Sequence, residues 1–258
     1  MSVEVAEEHG HHHDPALQHQ FQDMDQQNES YVVGMWTFLV TEIMFFGALF
    51  LAYTIYRREN PAVFLEVHHH LDVFKGAVNT MVLLTSSLTM AMAVYHAQMK
   101  HRQKQMMYIG VTILFAFTFL VIKGFEWEKK FHDHHVPGRY FEYVRGEGGA
   151  PIVKDQVTSV SSVRTPDGNT ATFPKNTIEP DFSNRAQLFF SLYFAMTGLH
   201  AIHVIIGILV MGTLFFMLMF KHPNVDYYMP VELTGLYWHF VDIVWIFLFP
   251  LFYLIPGS

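Results

Sequence analysis

The stretch of residues 34–53, GMWTFLVTEIMFFGALFLAY, constrains the fold most, because it places the carboxylate of Glu42 inside a long apolar run. A helix of about twenty such residues spans the ~30 Å hydrocarbon core of a bilayer at ~1.5 Å per residue. A charge at its centre costs about 2.5 kcal/mol or more unless a partner or water relieves it. Two interpretations of Glu42 are open on position alone: a neutral carboxyl hydrogen-bonded to a neighbouring helix, or a group that handles protons or contacts lipid.

The composition is typical of a membrane protein and excludes several functions. The 258 residues are 51% hydrophobic, 16% aromatic and only 15% charged, which is too apolar for an ordinary soluble domain. Cysteine is absent, so structural disulfides, thiolate metal sites and thiol catalysis are excluded together. The net charge of −7 argues against nucleic acid as a partner.

Hydropathy predicts an all-α, polytopic membrane helix bundle with five transmembrane helices. The spans lie at about 31–56, 77–97, 106–127, 188–220 and 232–255. The third span is expected to leave the membrane through Lys123, Glu126 and Trp127. The fourth exceeds one hydrocarbon thickness, so it must tilt or project beyond the lipid. The first carries a small-residue stripe that predicts close helix contact beside Glu42, formed by Gly34, Thr37, Thr41, Ala48 and Ala52.

Two polar segments lie outside the spans. Residues 1–30 lack apolar periodicity, so we expect an inner-side tail that is disordered or loosely docked. Its histidines are candidate proton-collecting groups, with stray metal binding or no role as alternatives; they include His9, His11, His12 and His13. Residues 128–185 predict an insertion with a β-hairpin around a turn at 166–169, and an insertion of this length favours contact with another subunit.

The last two spans predict two polar faces inside the bundle. One face, within a ~60° arc of the fourth span, consists of Met196, His200, His203, Gly207 and Met211. The other, on the fifth span, consists of Glu232, Gly235, His239 and Asp242.

The paired histidines of the fourth span permit a haem or copper interpretation, since bundled helices can ligate metal through histidine. Ligands for a buried metal should converge from several helices, whereas a neutral histidine beside a carboxylate needs one partner. We therefore expect His200 and His203 to bind no metal. A proton-coupled transporter would use Glu42, Asp242 and the histidines as a relay, but no internal repeat supports that class.

Five motifs stand in order and at sensible spacing along the chain: TEIMFFGALFLAY, LLTSSLTMAMA, KGFEW, FAMTGLHAIHVIIG and YWHFVDIVWIFLFP. The last two are long and specific. Together the motifs resemble subunit III of the haem-copper cytochrome c oxidases, and the similarity covers residues 34–253 except the insertion.

The resemblance implies a subunit without a redox centre, bound to the side of catalytic subunit I, in the five-helix form that lacks the initial helix pair of longer members. Glu42 corresponds to the family's intramembrane carboxylate, and Glu126 to the Glu that ends the fifth helix of the long form. His200 and His203 correspond to the TGxHxxHV pair. The final motif contains Trp238, His239 and Asp242.

The resemblance also implies an N-terminus inside a bacterial cytoplasmic membrane, a C-terminus outside, and an outer insertion on the cytochrome c side. We therefore expect a non-catalytic subunit III of a proton-pumping aa3-type oxidase, with haem and copper on partner subunits I and II and phospholipid bound to this chain. The alternatives are the equivalent subunit of a quinol oxidase and a free-standing proton-coupled transporter.

Overall fold

A computed structural model describes residues 17–67, 71–132, 160–164, 170–174, 180–221 and 228–254. Its elements in chain order are α1 (Met24–Glu59), α2 (Pro61–Val67), α3 (Val73–Gln98), α4 (Arg102–His132), β1 (Val160–Arg164), β2 (Thr170–Pro174), α5 (Pro180–Met219) and α6 (Met229–Tyr253). Within these ranges, five helices are long and apolar enough to cross a membrane: α1, α3, α4, α5 and α6. The five predicted spans and the all-helical membrane fold are therefore confirmed.

The helices extend beyond the predicted spans at several ends. Residues 24–30, expected in the disordered tail, form the start of α1, because the Asp23 side chain accepts a 2.7 Å hydrogen bond from the Gln26 amide and caps the helix. The short helix α2 was not predicted; it packs against α5 and buries Val63, Phe64 and Val67. Helix α5 has 40 residues, so it is about 60 Å long and projects beyond the hydrocarbon as expected.

Helix α6 is the centre of the bundle and α1 is its periphery. In the most apolar 18-residue window, 56% of the residues of α6 are buried, against 17% for α1. Helix α6 contacts α3, α5 and α1, while α3 and α4 form the most extensive helix pair. Small and polar residues of α3 are packed in the bundle: Ser86 and Ala93 are buried, and the Thr89 hydroxyl lies 2.8 Å from that of Thr112 on α4.

The predicted contact face of α1 is wrong for this chain. Gly34, Thr37, Thr41 and Ala48 are exposed, and the buried residues are large ones at seven-residue intervals: Leu39, Phe46 and Tyr53. The physical reason is that α6 presents aromatic rings to α1. Phe46 meets Phe240 and Tyr53 meets Phe252 in edge contacts, and the Tyr53 hydroxyl donates a 2.5 Å hydrogen bond to the Leu251 carbonyl. Helices that pack through aromatic rings do not need the close backbone approach that a stripe of small residues would allow.

The predicted hairpin is present in the insertion. β1 and β2 pair antiparallel, from Val160 opposite Pro174 to Arg164 opposite Thr170. The predicted turn at 166–169 lies outside the described residues, as do residues 133–159 and 175–179. Because α4 continues to His132 and α5 begins at Pro180, the insertion between them is shorter than the predicted range 128–185.

Candidate functional site

Glu42 on α1 and His203 on α5 form a hydrogen-bonded pair. Glu42 Oε2 lies 3.1 Å from His203 Nε2, and the two side chains are 20% and 13% exposed. The other ring nitrogen, Nδ1, lies 2.8 Å from the Leu199 carbonyl oxygen, and Phe46 packs its edge against the imidazole. The carboxylate is thus held on the packed face of α1, one helical turn before Phe46.

In this geometry, Glu42 Oε2 and His203 Nε2 share a single proton. A carbonyl oxygen only accepts, so His203 Nδ1 must carry a hydrogen and donate to Leu199. If His203 is neutral, its Nε2 is an acceptor and Glu42 must donate as a protonated acid. If Glu42 is ionised, His203 must be an imidazolium. Both forms have no net charge, and the apolar surroundings favour the uncharged pair.

We expect the Glu42 carboxyl to donate to His203 as the neutral acid. An infrared spectrum of the intact complex should show a protonated-carboxyl band that Glu42→Gln removes, because the variant lacks the acid that donates to His203. Glu59→Gln, an exposed carboxylate at the end of the same helix, should leave that band unchanged. A carboxylate band lost in Glu42→Gln instead would contradict this prediction.

Glu126 lies at the centre of a second group, here called the Glu126 cluster: Glu126, Lys123, Lys130, Tyr193 and Tyr253. Glu126 Oε1 accepts hydrogen bonds from Lys130 at 3.1 Å, Tyr193 at 2.7 Å and Tyr253 at 2.5 Å. Lys123 donates to Glu126 Oε2 at 3.1 Å and to the two tyrosine hydroxyls at 3.0 and 2.6 Å. Helices α4, α5 and α6 are therefore joined by one polar network.

Lys123 and Glu126, which we expected where the third span leaves the membrane, are both buried inside the protein. Lys123 is 2% and Glu126 3% exposed. The Lys123 ammonium is compensated without water: its three hydrogens bond the carboxylate and both phenols, and the Trp245 ring lies 4.9 Å away. Two ammonium groups face one carboxylate, which leaves a net charge of +1 in this cluster.

His200 and His203 share an α5 face, as the spacing predicted, but have different surroundings. His200 is 1% exposed, its ring lies between Phe119 and Trp245 at 5.6 and 5.2 Å, and neither ring nitrogen has a hydrogen-bond partner among the described residues. The two imidazoles therefore do not converge on a common point. In the described parts of the chain, no three His, Cys, Asp or Glu side chains come together as a metal site would require.

The α6 face carries a third polar group. His239 Nδ1 lies 2.7 Å from the Ser87 hydroxyl on α3, and Asp242, one turn further along α6, is 2% exposed. Glu232 is half-buried in the first turn of the helix, apart from this group. His9, His11, His12 and His13 fall outside the described residues.

Sequence reasoning missed most partners of these groups. No sequence pattern marks Tyr193, Tyr253 or Ser87 as a partner, because a tyrosine near a helix end suggests an interfacial anchor and a serine in a helix can hydrogen-bond its own backbone. A pattern does mark Lys123, Glu126 and Lys130. Their spacing of three and four residues places them on one helix face, where opposite charges pair.

The fold and these clusters define a multi-pass membrane protein whose buried polar side chains bind one another across helices. The family model for cytochrome c oxidase subunit III matches residues 172–256. A cytochrome c oxidase subunit 3 of Bacillus sp. PS3 is 26% identical over 86% of this chain and 84% of its own length, and that of Synechocystis is 27% identical over 96% and 80%. A haem-copper oxidase subunit I+III of Aeropyrum pernix is 25% identical over 86% of this chain and 22% of its own.

These matches confirm the resemblance that the motifs indicated. Over most of its length the chain is similar to cytochrome c oxidase subunit III, and its C-terminal part matches the model of that family. This similarity implies association with the other subunits of an oxidase in a membrane.

Proposed function

We propose that this chain is the non-catalytic subunit III of a proton-pumping aa3-type cytochrome c oxidase that reduces oxygen to water. Haem, copper and the oxygen chemistry belong to subunits I and II. This chain supports subunit I mechanically, holds phospholipid and collects protons near the inner entry of the subunit I proton path. The Aeropyrum relative supports the subunit I partnership, since its name joins I and III in one chain.

The observation that carries the proposal is that the polar residues of the five motifs hydrogen-bond to side chains of other helices. Glu42 bonds His203, His239 bonds Ser87, and Glu126 bonds side chains from two other helices. In addition, the Trp238 indole donates a 3.0 Å hydrogen bond to the Ser86 hydroxyl. Side chains that are engaged with one another fix the positions of helices, which suits a supporting subunit.

The exposed face of α1 supports the lipid part of the proposal. Val33, Met44 and Leu51 are 62–70% exposed on this helix. Apolar side chains of a membrane span that do not pack within their own chain face hydrocarbon or another subunit. Annular phospholipid together with a neighbouring subunit would cover this surface.

We propose that the N-terminus lies inside a bacterial cytoplasmic membrane, and the charges of the short connections support this orientation. The inner connections then carry Lys100, Arg102, Lys104 and Lys221, against Arg57, Arg58 and Lys75 at the short outer connection. The C-terminus and the insertion with its hairpin are then outside. There the insertion would contact cytochrome c or another electron donor, while His9, His11, His12 and His13 would collect protons inside.

Gentle isolation of the complex tests this proposal. We expect the preparation to show haem a absorption bands and to oxidise cytochrome c. When the subunits are separated, this chain alone should show no haem bands. Oxidation of quinol instead of cytochrome c would favour the quinol oxidase. A chain that purifies without any haem protein would favour the transporter and contradict the proposal.

A further inference from the structure

Asp242, His239 and Ser87 form a separate polar group between α6 and α3. Asp242 and His239 are three residues apart on α6, so both side chains lie on one face. Ser87 lies opposite them, with its hydroxyl 2.7 Å from His239 Nδ1, and the same hydroxyl faces the Asp242 carboxyl. The group is distinct from the Glu42–His203 pair and from the Glu126 cluster.

Asp242 is the least compensated acid among the described residues. It is 2% exposed, and neither carboxyl oxygen has a partner within hydrogen-bonding geometry in the described part of the chain. A carboxylate without a partner inside a membrane protein is costly, whereas a protonated acid needs only one acceptor. A small rotation of Ser87 would supply that acceptor without moving either helix.

The chemistry of a hydroxyl makes Ser87 a relay. A serine has one hydrogen to donate and two lone pairs to accept. When Ser87 donates to His239 Nδ1, its oxygen accepts from a protonated Asp242. The proton can leave the Asp242 oxygen and bond to Ser87 Oγ while the original Ser87 hydrogen moves to His239 Nδ1. The products are an aspartate and an imidazolium, no atom is oxidised or reduced, and the reverse step restores the acid.

The burial of the three side chains gives the relay a direction. Asp242 is buried, whereas Ser87 and His239 are half-buried. The hydroxyl and the imidazole are therefore more exposed at the surface of the described bundle than the acid is. A proton on His239 can exchange there with groups outside the bundle.

We propose that Asp242, Ser87 and His239 form a proton-exchange site, in which Asp242 stores a proton as the neutral acid and exchanges it with the exterior through Ser87 and His239. The site needs no redox centre and does not depend on the function proposed above. Its ligand is a single proton.

Infrared spectroscopy of the intact complex after transfer from H₂O to D₂O tests the proposal. The carbonyl band of protonated Asp242 is identified by its loss in Asp242→Asn. If that variant does not assemble, a shift of the band in Asp242→Glu identifies it. In the unmodified complex the band should shift promptly as deuterium replaces the proton. Ser87→Ala should slow this exchange about tenfold or more, as expected for the loss of one relay step, and His239→Phe should do the same.

Two further variants separate a relay from a packing role. Ser87→Thr keeps the hydroxyl and should restore fast exchange. Thr85→Val, on the same helix, removes a hydroxyl that bonds only the Met81 carbonyl and should leave the rate unchanged. The proposal is overturned if no protonated-carboxyl band belongs to Asp242, if Ser87→Ala exchanges at the original rate, or if Ser87→Thr stays as slow as Ser87→Ala.

Discussion

Glu126→Gln is expected to destabilise the bundle by about 3–5 kcal/mol, the cost of breaking a buried ion pair while its partner charges stay buried. The variant removes the only carboxylate of the Glu126 cluster, and Lys123 and Lys130 are left 2% and 5% exposed with no anion between them. The amide nitrogen of Gln would replace one of the two accepting oxygens and would place a donor against either the Lys123 ammonium or the Tyr193 and Tyr253 hydroxyls. The measurement is the thermal midpoint at which this chain unfolds or leaves the complex.

Glu128→Gln is the matched control for this prediction. Glu128 lies on the same helix two residues away and is exposed, so the same chemical change should shift the midpoint little. Adding Lys123→Met and Lys130→Met to Glu126→Gln should recover part of the lost stability, because no uncompensated charge would remain. Equal midpoints for the two single variants would show that the buried network contributes nothing.

Gly207→Val is expected to destabilise the contact between α5 and α6 by about 1–3 kcal/mol, the usual cost of overfilling a packed core. A Cβ atom at Gly207 would lie 2.7 Å from Trp238 Cζ3 and 2.8 Å from Cε3. The indole cannot easily turn away, because it is fully buried and its Nε1 donates to Ser86 Oγ at 3.0 Å. The thermal midpoint of the complex and the tryptophan fluorescence report the change.

Gly212→Val is the control on the same helix. Nothing lies within 4 Å of a Cβ built there, so the substitution should be tolerated. If the two variants unfold at the same temperature, the close approach of α5 to Trp238 is not a constraint on the fold.

The spans were predictable because bilayer thickness fixes the length of an apolar helix, and hydropathy reads that length directly. The α5 and α6 faces followed from helical periodicity, and His200, Gly207 and Asp242 are indeed buried. The contact face of α1 did not follow. A small-residue stripe is one way to pack helices in lipid. The sequence of α1 alone does not indicate that the neighbouring helix packs against it with aromatic rings instead.

The Glu126 cluster could be predicted only in part. The sequence placed Glu126 near a helix end, where lysines ordinarily reach the membrane surface. Burial of Lys123 depends on Tyr193 and Tyr253, which belong to two other helices and are 70 and 130 residues away along the chain. The relative shift of the three helices along the membrane normal determines which of their residues lie at the same depth. Periodicity within one helix carries no information about that shift.

The position of α6 at the centre and α1 at the edge has a consequence for how the chain is made. The groups that hold α1 in place are on α5 and α6, which leave the ribosome after it: the His203 and Phe240 side chains and the Leu251 carbonyl. During synthesis α1 enters the membrane before any of these partners exists. Its attachment is therefore a late event of biogenesis, and until α5 is inserted and brings His203, lipid or a waiting oxidase subunit must shield the Glu42 carboxyl.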